Sequence, residues 1–420
     1  MNNNTLYIMC GLPGSGKSYQ AKKLAEKTGA VIVSSDALRE ELFNDVNNQD
    51  NSEIVFRELH KRVKANLLVG KSVIYDACNV SDKRRRNLIN EFKRYAKKIK
   101  CVLVLRLIED CIKAQDTRDR KVPQYAIERM YKKFKVPNYS EGYSNINIIY
   151  TDNNERVLGN PENILESFMD FNQHNSHHSF TLGAHSKRVL DICLDRFPHN
   201  KILEVAAMMH DMGKPYAQTN KNMKGEEDSE LHYYGHAEAG SYLSLFLDLS
   251  SFDIPQNKKL DIAFLIGHHM DPYYWENTDK TNTGTYQKIY QKYEKLWGSA
   301  QLNMVMALHN ADERSHVVDI PLDFTSKLGA EEKGITENEL IELKNIIACL
   351  SNEDIKHFLE AADINCSDVK YITTSPIIKD YYIDLAIYKL SPGKREEMYK
   401  EYCNKDSFDK LLKDIDEERE

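Results

Sequence analysis

No apolar run in the 420 residues approaches the ~20 needed to cross a bilayer. The first residues, MNNNTLY, have neither a charged start nor an apolar h-region, so no signal peptide is expected. The eight cysteines form no C-x-x-C pair and lie scattered from Cys10 to Cys403. That spacing argues against a disulfide framework or a zinc ribbon and for a reduced, cytoplasmic setting without membrane attachment. At this length one ordinary core is not enough, and two or three domains are expected.

What is present is unevenly spread. The net charge of −7 hides 28 basic against 17 acidic residues in positions 1–150, leaving 29 basic and 47 acidic residues beyond. A first third at +11 beside a remainder at −18 suggests a polyanionic partner for the first part. Twelve of the fourteen histidines fall between His174 and His316.

The most informative stretch is Thr5–Ser18, TLYIMCGLPGSGKS. Leu6–Met9 has the composition of a buried strand. The pattern G-x-x-x-x-G-K-S follows, with Gly11, Pro13, Gly14, Ser15, Gly16, Lys17 and Ser18, and a helical pattern then runs to Gly29. Strand, glycine loop and helix together form a phosphate cradle of main-chain N–H groups at a helix N-terminus. Lys17 is placed to reach the β- and γ-phosphates of ATP, and Ser18 to hold Mg²⁺.

A second strand over 30–34 leads into SSDALRE. Asp36 is the candidate general base, the alternative being an N-cap for the helix it opens. Arg39, one turn on, could clamp a substrate phosphate. A helix over 59–69 and a strand over 72–77 follow, bringing Asp76 and Asn79 to the same crevice. A basic helix over 81–98, with most of its charges solvated, and strands over 101–107 and 146–150 complete the first region. Between the last two strands, Arg118 and Arg120 precede a break at Pro123 and a second helix. Such arginines can supply charge to a transferring phosphoryl group, although an alternation of Arg and Asp also suits a surface ion-pair cluster.

With GLPGSGKS, S-D-x-x-R, a D-x-x-N strand end and an R-x-R-x-V-P segment, residues 5–150 resemble the 5′-hydroxyl polynucleotide kinases of phage and bacterial end repair. The resemblance implies that Asp36 is the general base, that Arg39 contacts the phosphate next to the acceptor, and that Arg118 and Arg120 belong to a lid. The substrates implied are ATP and a 5′-OH end of RNA or DNA.

Residues 151–162 read as a linker, and 164–171 as a docking helix. Beyond it the pattern is helical, with no convincing strand. Metal-competent side chains then arrive as His185, the pair His210-Asp211, Lys214, His236, the pair His268-His269, and Asp312. Imidazole with carboxylate suits Mn²⁺, Fe, Co²⁺, Ni²⁺ or Zn²⁺, and an adjacent His-Asp pair can bind one ion and bridge to a second. This order resembles the HD phosphohydrolase superfamily. The resemblance implies one ion held by His185, His210, Asp211 and Asp312, and a second by Asp211, His236 and either His268 or His269. Lys214 and Arg314 would contact the substrate phosphate.

The expected fold is therefore multidomain. An N-terminal α/β P-loop kinase with a parallel sheet and helices on both faces occupies 1–155, an all-α HD domain 163–325, and a helical extension 326–420. An HD region joined to such a kinase resembles bacterial bifunctional enzymes that heal broken RNA ends, with the order of the two reversed. The activities implied are phosphorylation of 5′-OH ends and removal of a 2′,3′-cyclic, 2′- or 3′-phosphate, with RNA, tRNA among it, or DNA as partner. A nucleoside kinase fused to a nucleotidase or cyclic-nucleotide phosphodiesterase, and an ATP-gated nucleic-acid binder with a degenerate HD pocket, are the two competing readings.

Overall fold

The computed structural model describes residues 4–48, 50–118, 121–153, 155–175, 180–279, 285–315, 352–362 and 390–402, with positions 339, 343, 347, 383, 386 and 387. Five strands form one parallel sheet in the order β2-β3-β1-β4-β5: β1 Thr5–Cys10, β2 Val31–Ser34, β3 Val73–Asp76, β4 Lys98–Leu105 and β5 Asn145–Tyr150. β1 pairs with β3 on one side (Leu6 to Val73) and with β4 on the other (Ile8 to Cys101). It is almost wholly buried, as its continuous apolar run requires of a central parallel strand. The chain leaves β1 toward β2 and later crosses to β4, so the crevice opens at the carboxyl end of β1.

Helices α1 Lys17–Thr28, α2 Ser35–Phe43, α3 Ser52–Leu68 and α4 Asp82–Phe92 connect the first four strands. α1 ends where Gly29, at φ 67°, adopts the left-handed conformation and donates its N–H to Ala25 O. α4 is shorter than the basic pattern suggests, because Lys98 already belongs to β4. Nor is that helix uniformly solvated: Arg85 is fully buried and grips Glu141 with two bonds of 2.8 and 2.6 Å. α5 Ile108–Lys113 and α6 Gln124–Tyr131 lie between β4 and β5. Arg118 follows α5 rather than lying on it, and Arg120 falls outside the described residues.

The second region is helical: α7 Pro161–Ser167, α8 Leu182–Arg196, α9 Lys201–Met209, α10 Lys214–Ala217, α11 His236–Ser244, α12 Lys259–His268, α13 Asp271–Asp279, α14 Thr285–Trp297 and α15 Ser299–Ser315. α8 packs on α9 and α15, and α12 on α9 and α11. The expected docking helix is α7, beginning at Pro161 and capped by the Asn160 side chain. One antiparallel hairpin, β6 Thr219–Lys221 with β7 Glu227–His232, interrupts the helices. Its polar strands lack the alternation that announces a half-buried strand.

A single apolar cluster runs from Leu6 through Tyr131 and Tyr242 to Ala311, so the two regions share one core. Tyr242, fully buried, packs edge-on against Tyr131 and Phe134 and donates its hydroxyl to Arg106 O at 2.8 Å. Tyr131 donates to Ala239 O, Tyr150 to Leu245 O, and Lys135 Nζ to Gly267 O. The stretch read as a linker begins with a 3-10 turn, Thr151–Asn153, tied to the glycine loop through Thr151 Oγ1 and Ser15 O at 2.7 Å. Most of 326–420 falls outside the described residues. Apolar positions described there, including Leu343, Phe358 and Ile383, gather in a cluster of their own.

Candidate functional site: a phosphate cradle and an imidazole cage

The cradle forms because β1 ends against β3 and β4 while α1 starts immediately beyond it. Gly14 and Gly16 take φ values of 89° and 92°, open to glycine at little cost. A Cβ on Gly14 would also collide with the Cys111 carbonyl. Protein donors hold three carbonyls of the loop: Lys17 Nζ on Leu12 O (2.7 Å), Arg106 on Gly14 O (3.2 Å) and Thr151 on Ser15 O.

Ser18 Oγ donates to Asp76 Oδ2 at 3.1 Å, joining the first turn of α1 to the end of β3. Burial pushes the Asp76 carboxyl above its usual value, and Asp36 adds to the rise, against the pull of Lys17 and Ser18. Asn79 has the plainer role, its amide donating to Met9 O and Ala77 O to tie two strand ends together. Ser34 occupies the N-cap position of α2 and Asp36 its first turn, so Asp36 is not the cap. Asp36 Oδ1 accepts from Arg39 at 3.2 Å, and the buried Arg39 guanidinium also donates to Ser35 O and Asn48 O. Lys17, Ser18, Asp36, Arg39, Asp76 and Arg118 all line one cleft of about 1350 Å³.

In the second region the side chains converge on two foci. His185 Nε2 lies 2.9 Å from Asp312 Oδ1 and 3.1 Å from His210 Nε2. His236 Nε2 lies 3.2 Å from Asp211 Oδ1 and 3.4 Å from His269 Nε2. His185, His210 and Asp312 form one metal-competent group, and Asp211, His236 and His269 the other. Asp211 joins them: its Oδ1 faces the second group while its Oδ2 lies 3.3 Å from His210 and 3.5 Å from His185.

Each imidazole is aimed by its far nitrogen. His210, His236 and His269 use Nδ1 on the carbonyls of Ala207, Tyr233 and Ile266, each three residues earlier. His185 uses Nδ1 on Ser315 Oγ, whose own proton goes to Asp312 O. All four Nε2 atoms are thereby turned inward. His268 is turned elsewhere: its Nδ1 meets Asp271 at 2.7 Å and its ring lies against Phe264 and Trp297.

Charge within the cage is strongly redistributed. Burial alone would lower His210, yet Asp211 and Asp312 carry it up to about 10. Burial and the neighbouring His210 and His236 push His269 down to about 3. Burial works against the Asp211 carboxylate, but Lys214 and His210 hold it well below its usual value. Lys214 Nζ sits 2.7 Å from Asp211 Oδ2 and 2.6 Å from Gln173 Oε1. Four imidazoles and two carboxylates focused in this way suit divalent transition ions.

Residues 6–137 match the family model of the AAA domain, and residues 182–316 that of the HD domain. The chain joins a P-loop kinase domain to an HD domain. The L-seryl-tRNA(Sec) kinase of Methanococcus maripaludis is 28% identical over 173 residues, covering 40% of this chain and 66% of that protein. Among solved structures, a chain of the Pnkp1/Rnl/Hen1 RNA repair complex is 26% identical, over 31% of this chain and 43% of that one, with a TM-score of 0.29. A putative kinase from Chloroflexus aurantiacus is 16% identical, over 36% of this chain and 89% of that one, with a TM-score of 0.31. The chain thus spans less than two thirds of the tRNA kinase and under half of the RNA repair chain.

The kinase domain carries further residues that motif reading left without a role. Arg106 bridges Gly14 O and Asp152. Lys121 and Arg129 line the cleft beside Arg118. In the HD domain, Gln173 and Ser315 hold Lys214 and His185. Only the position of Arg106, closing the apolar strand CVLVL, could have marked it in advance. His309 donates its Nδ1–H to His269 O at 3.1 Å, while His177 and His178 lie outside the described residues.

Proposed function

We propose that this chain is a bifunctional nucleic-acid end-healing enzyme. The kinase domain moves the γ-phosphoryl group of ATP to a 5′-OH end, and the HD domain removes a 2′,3′-cyclic phosphate or a 2′- or 3′-phosphate. The observation that carries the reading is the pairing in one chain of two phosphate-handling sites: a P-loop cleft with a carboxylate at its acceptor side, and the six-residue cage around Asp211.

In the kinase step, Asp36 takes the proton of the attacking hydroxyl as the new O–P bond forms and the bond to ADP breaks. Arg39 holds Asp36 in place, and the loop amides with Lys17 meet the charge on the phosphates. Ser18 and Asp76 would hold Mg²⁺, which would supply charge to offset that of the phosphates. Arg118 and Arg120 are the lid candidates.

In the HD domain, His185, His210, Asp211 and Asp312 would hold one ion, and Asp211, His236 and His269 a second. Such ions, when bound, supply Lewis acidity and make water a nucleophile near neutral pH. Lys214, buried with its Nζ 2.7 Å from Asp211 Oδ2, brings positive charge for the substrate phosphate, whereas Arg314 lines a separate small cavity with Ile192, Arg196 and Phe197.

Three features support a polynucleotide over a free nucleoside. The first 150 residues carry +11. The cleft exceeds the ~300–1,000 Å³ usual for small-ligand pockets. Tyr19 and Tyr125, 59% and 69% exposed, line it together with Arg118, Lys121 and Arg129, a pairing suited to stacked bases and a phosphate track. The seryl-tRNA kinase relative favours a second reading, transfer to a hydroxyl displayed on a tRNA. Incubation of 5′-OH, 3′-phosphate RNA and of seryl-tRNA with ATP, with products identified by mass, separates them. An RNA gaining a 5′-phosphate and losing its 3′-phosphate is expected; two unchanged ends would remove the proposal.

A further inference from the structure

The cleft continues past Asp36 into a trough between α3 and α4. From α3, Phe56 and His60 line it, four residues apart; from α4, Arg84, Leu88 and Glu91 do, at helical spacing. The far end is closed by a connected group. His60 Nδ1 meets the Glu91 carboxylate at 2.8 Å, and His60 Nε2 lies 3.1 Å from the Tyr75 hydroxyl. The His60 ring stands edge-on to Tyr75 and Phe92. Tyr75 directly precedes Asp76 on β3, so this end wall is built on the strand that carries a residue of the phosphate site. Glu91 is 43% exposed and reaches the lining.

An aromatic face, an accepting carboxylate and a guanidinium are the parts that recognise a nucleoside and its phosphate. Phe56 offers a stacking surface, Arg84 a cation for the following phosphate, and Glu91 an acceptor only. On the polynucleotide-kinase reading above, we infer that this trough holds the terminal nucleoside of the acceptor, and that Glu91 favours adenine and cytosine, with an amino group at C6 or C4, over guanine and uracil, with an oxygen there. Adenine N6 and cytosine N4 present an amino donor to a carboxylate on the same edge of the base. Guanine O6 and uracil O4 place a carbonyl oxygen there, which a carboxylate repels.

The experiment uses the full chain and four 5′-OH oligoribonucleotides identical except for the first base, comparing kcat/KM within each protein so that any general loss cancels. The intact enzyme is expected to favour A and C ends over G and U by about fivefold, the worth of one half-exposed hydrogen bond. In Glu91→Gln, whose amide can also donate, the preference should shrink below about twofold. Phe56→Ala should raise KM for all four acceptors several-fold and leave KM for ATP unchanged. Equal use of the four ends by the intact enzyme, an unaltered preference in Glu91→Gln, or an unmoved acceptor KM in Phe56→Ala would each overturn the inference. Phosphorylation of none of the four would overturn the reading beneath it as well.

Discussion

Ser18 and Asp76, fifty-eight residues apart in sequence, face each other across 3.1 Å at the mouth of the kinase cleft. The contact exists because α1 starts where β1 ends and β3 lies directly beside β1. It sets a hydroxyl and a carboxylate at the place where a nucleotide-bound Mg²⁺ is held in P-loop kinases. The site also carries a cost. A carboxyl raised by burial is harder to ionise in the folded chain than in the unfolded one, so its ionisation lowers stability as pH rises through the unfolded and then the folded value. The penalty reaches its full size only above the folded value.

The sign of that linkage yields the first expectation. Asp76→Asn should leave the thermal midpoint of the protein without nucleotide unchanged or higher at pH 7, since it removes a disfavoured buried charge. Kinase turnover with Mg·ATP should fall by about a hundredfold or more, as for loss of one group from a charged transition-state site. Scanning calorimetry and a phosphate-transfer assay check the two halves. A lower midpoint with full activity would contradict both.

The loop lysine and the candidate base separate the two activities. Lys17→Ala and Asp36→Asn should each reduce phosphate transfer to 5′-OH RNA by about 10²-fold or more, with phosphate release by the HD domain unchanged. Arg39→Ala should reduce transfer too, because Asp36 loses its 3.2 Å donor, and should also destabilise by ~1–3 kcal/mol as Ser35 O and Asn48 O lose a buried partner. Parallel initial-rate measurements of both reactions, with a denaturant melt for Arg39→Ala, test this set. An HD rate falling in step with the kinase rate would refute independence of the sites.

The adjacent histidines at 268 and 269 offer a sharp contrast. His269→Ala should lower the bound-metal content and the phosphohydrolase rate, because its Nε2 lies within the second group. His268→Ala should keep its metal and lose only stability, since its partners are Asp271, Phe264 and Trp297. Elemental analysis of the purified variants decides: equal metal loss in both would mean that the cage is not assembled by side-chain direction as the geometry has it. Chelation should silence the HD reaction in the intact protein, and re-addition of Mn²⁺, Co²⁺ or Ni²⁺ should restore it.

These cases also mark how far the residues alone carry the reading. The phosphate loop and the order His185, His210-Asp211, His236, Asp312 were legible because local spacing dictates them: a glycine loop must sit between strand and helix, and a family order survives any packing. Choosing between His268 and His269 was not. Neighbours on a helix point about 100° apart, and which one turns inward depends on how α12 packs against α9 and α11. Arg85 was hidden for the same reason, as one of four consecutive basic positions. Its burial depends on Glu141, fifty-six residues away, accepting both of its donors. The shared core was hidden as well, since Tyr131, Phe134 and Tyr242 read as ordinary apolar positions of two separate regions until they meet.

That shared core makes the last expectation. Domains joined by a flexible linker melt separately, whereas here the side chains of Tyr242 and Lys135 cross from one region to backbone carbonyls of the other. The full chain should therefore unfold through its first 315 residues in one cooperative transition. Tyr242→Phe, which deletes a fully buried hydroxyl, should lower stability by about 1 kcal/mol without splitting the transition. A fragment ending at residue 155 would expose Tyr131 and Phe134 and strip the partners from Lys135, so it should be markedly less stable than the intact chain and prone to associate. Calorimetry of the three proteins is the measurement. A kinase fragment melting at the temperature of the full chain would show that the contacts across this boundary contribute nothing to the stability of the fold.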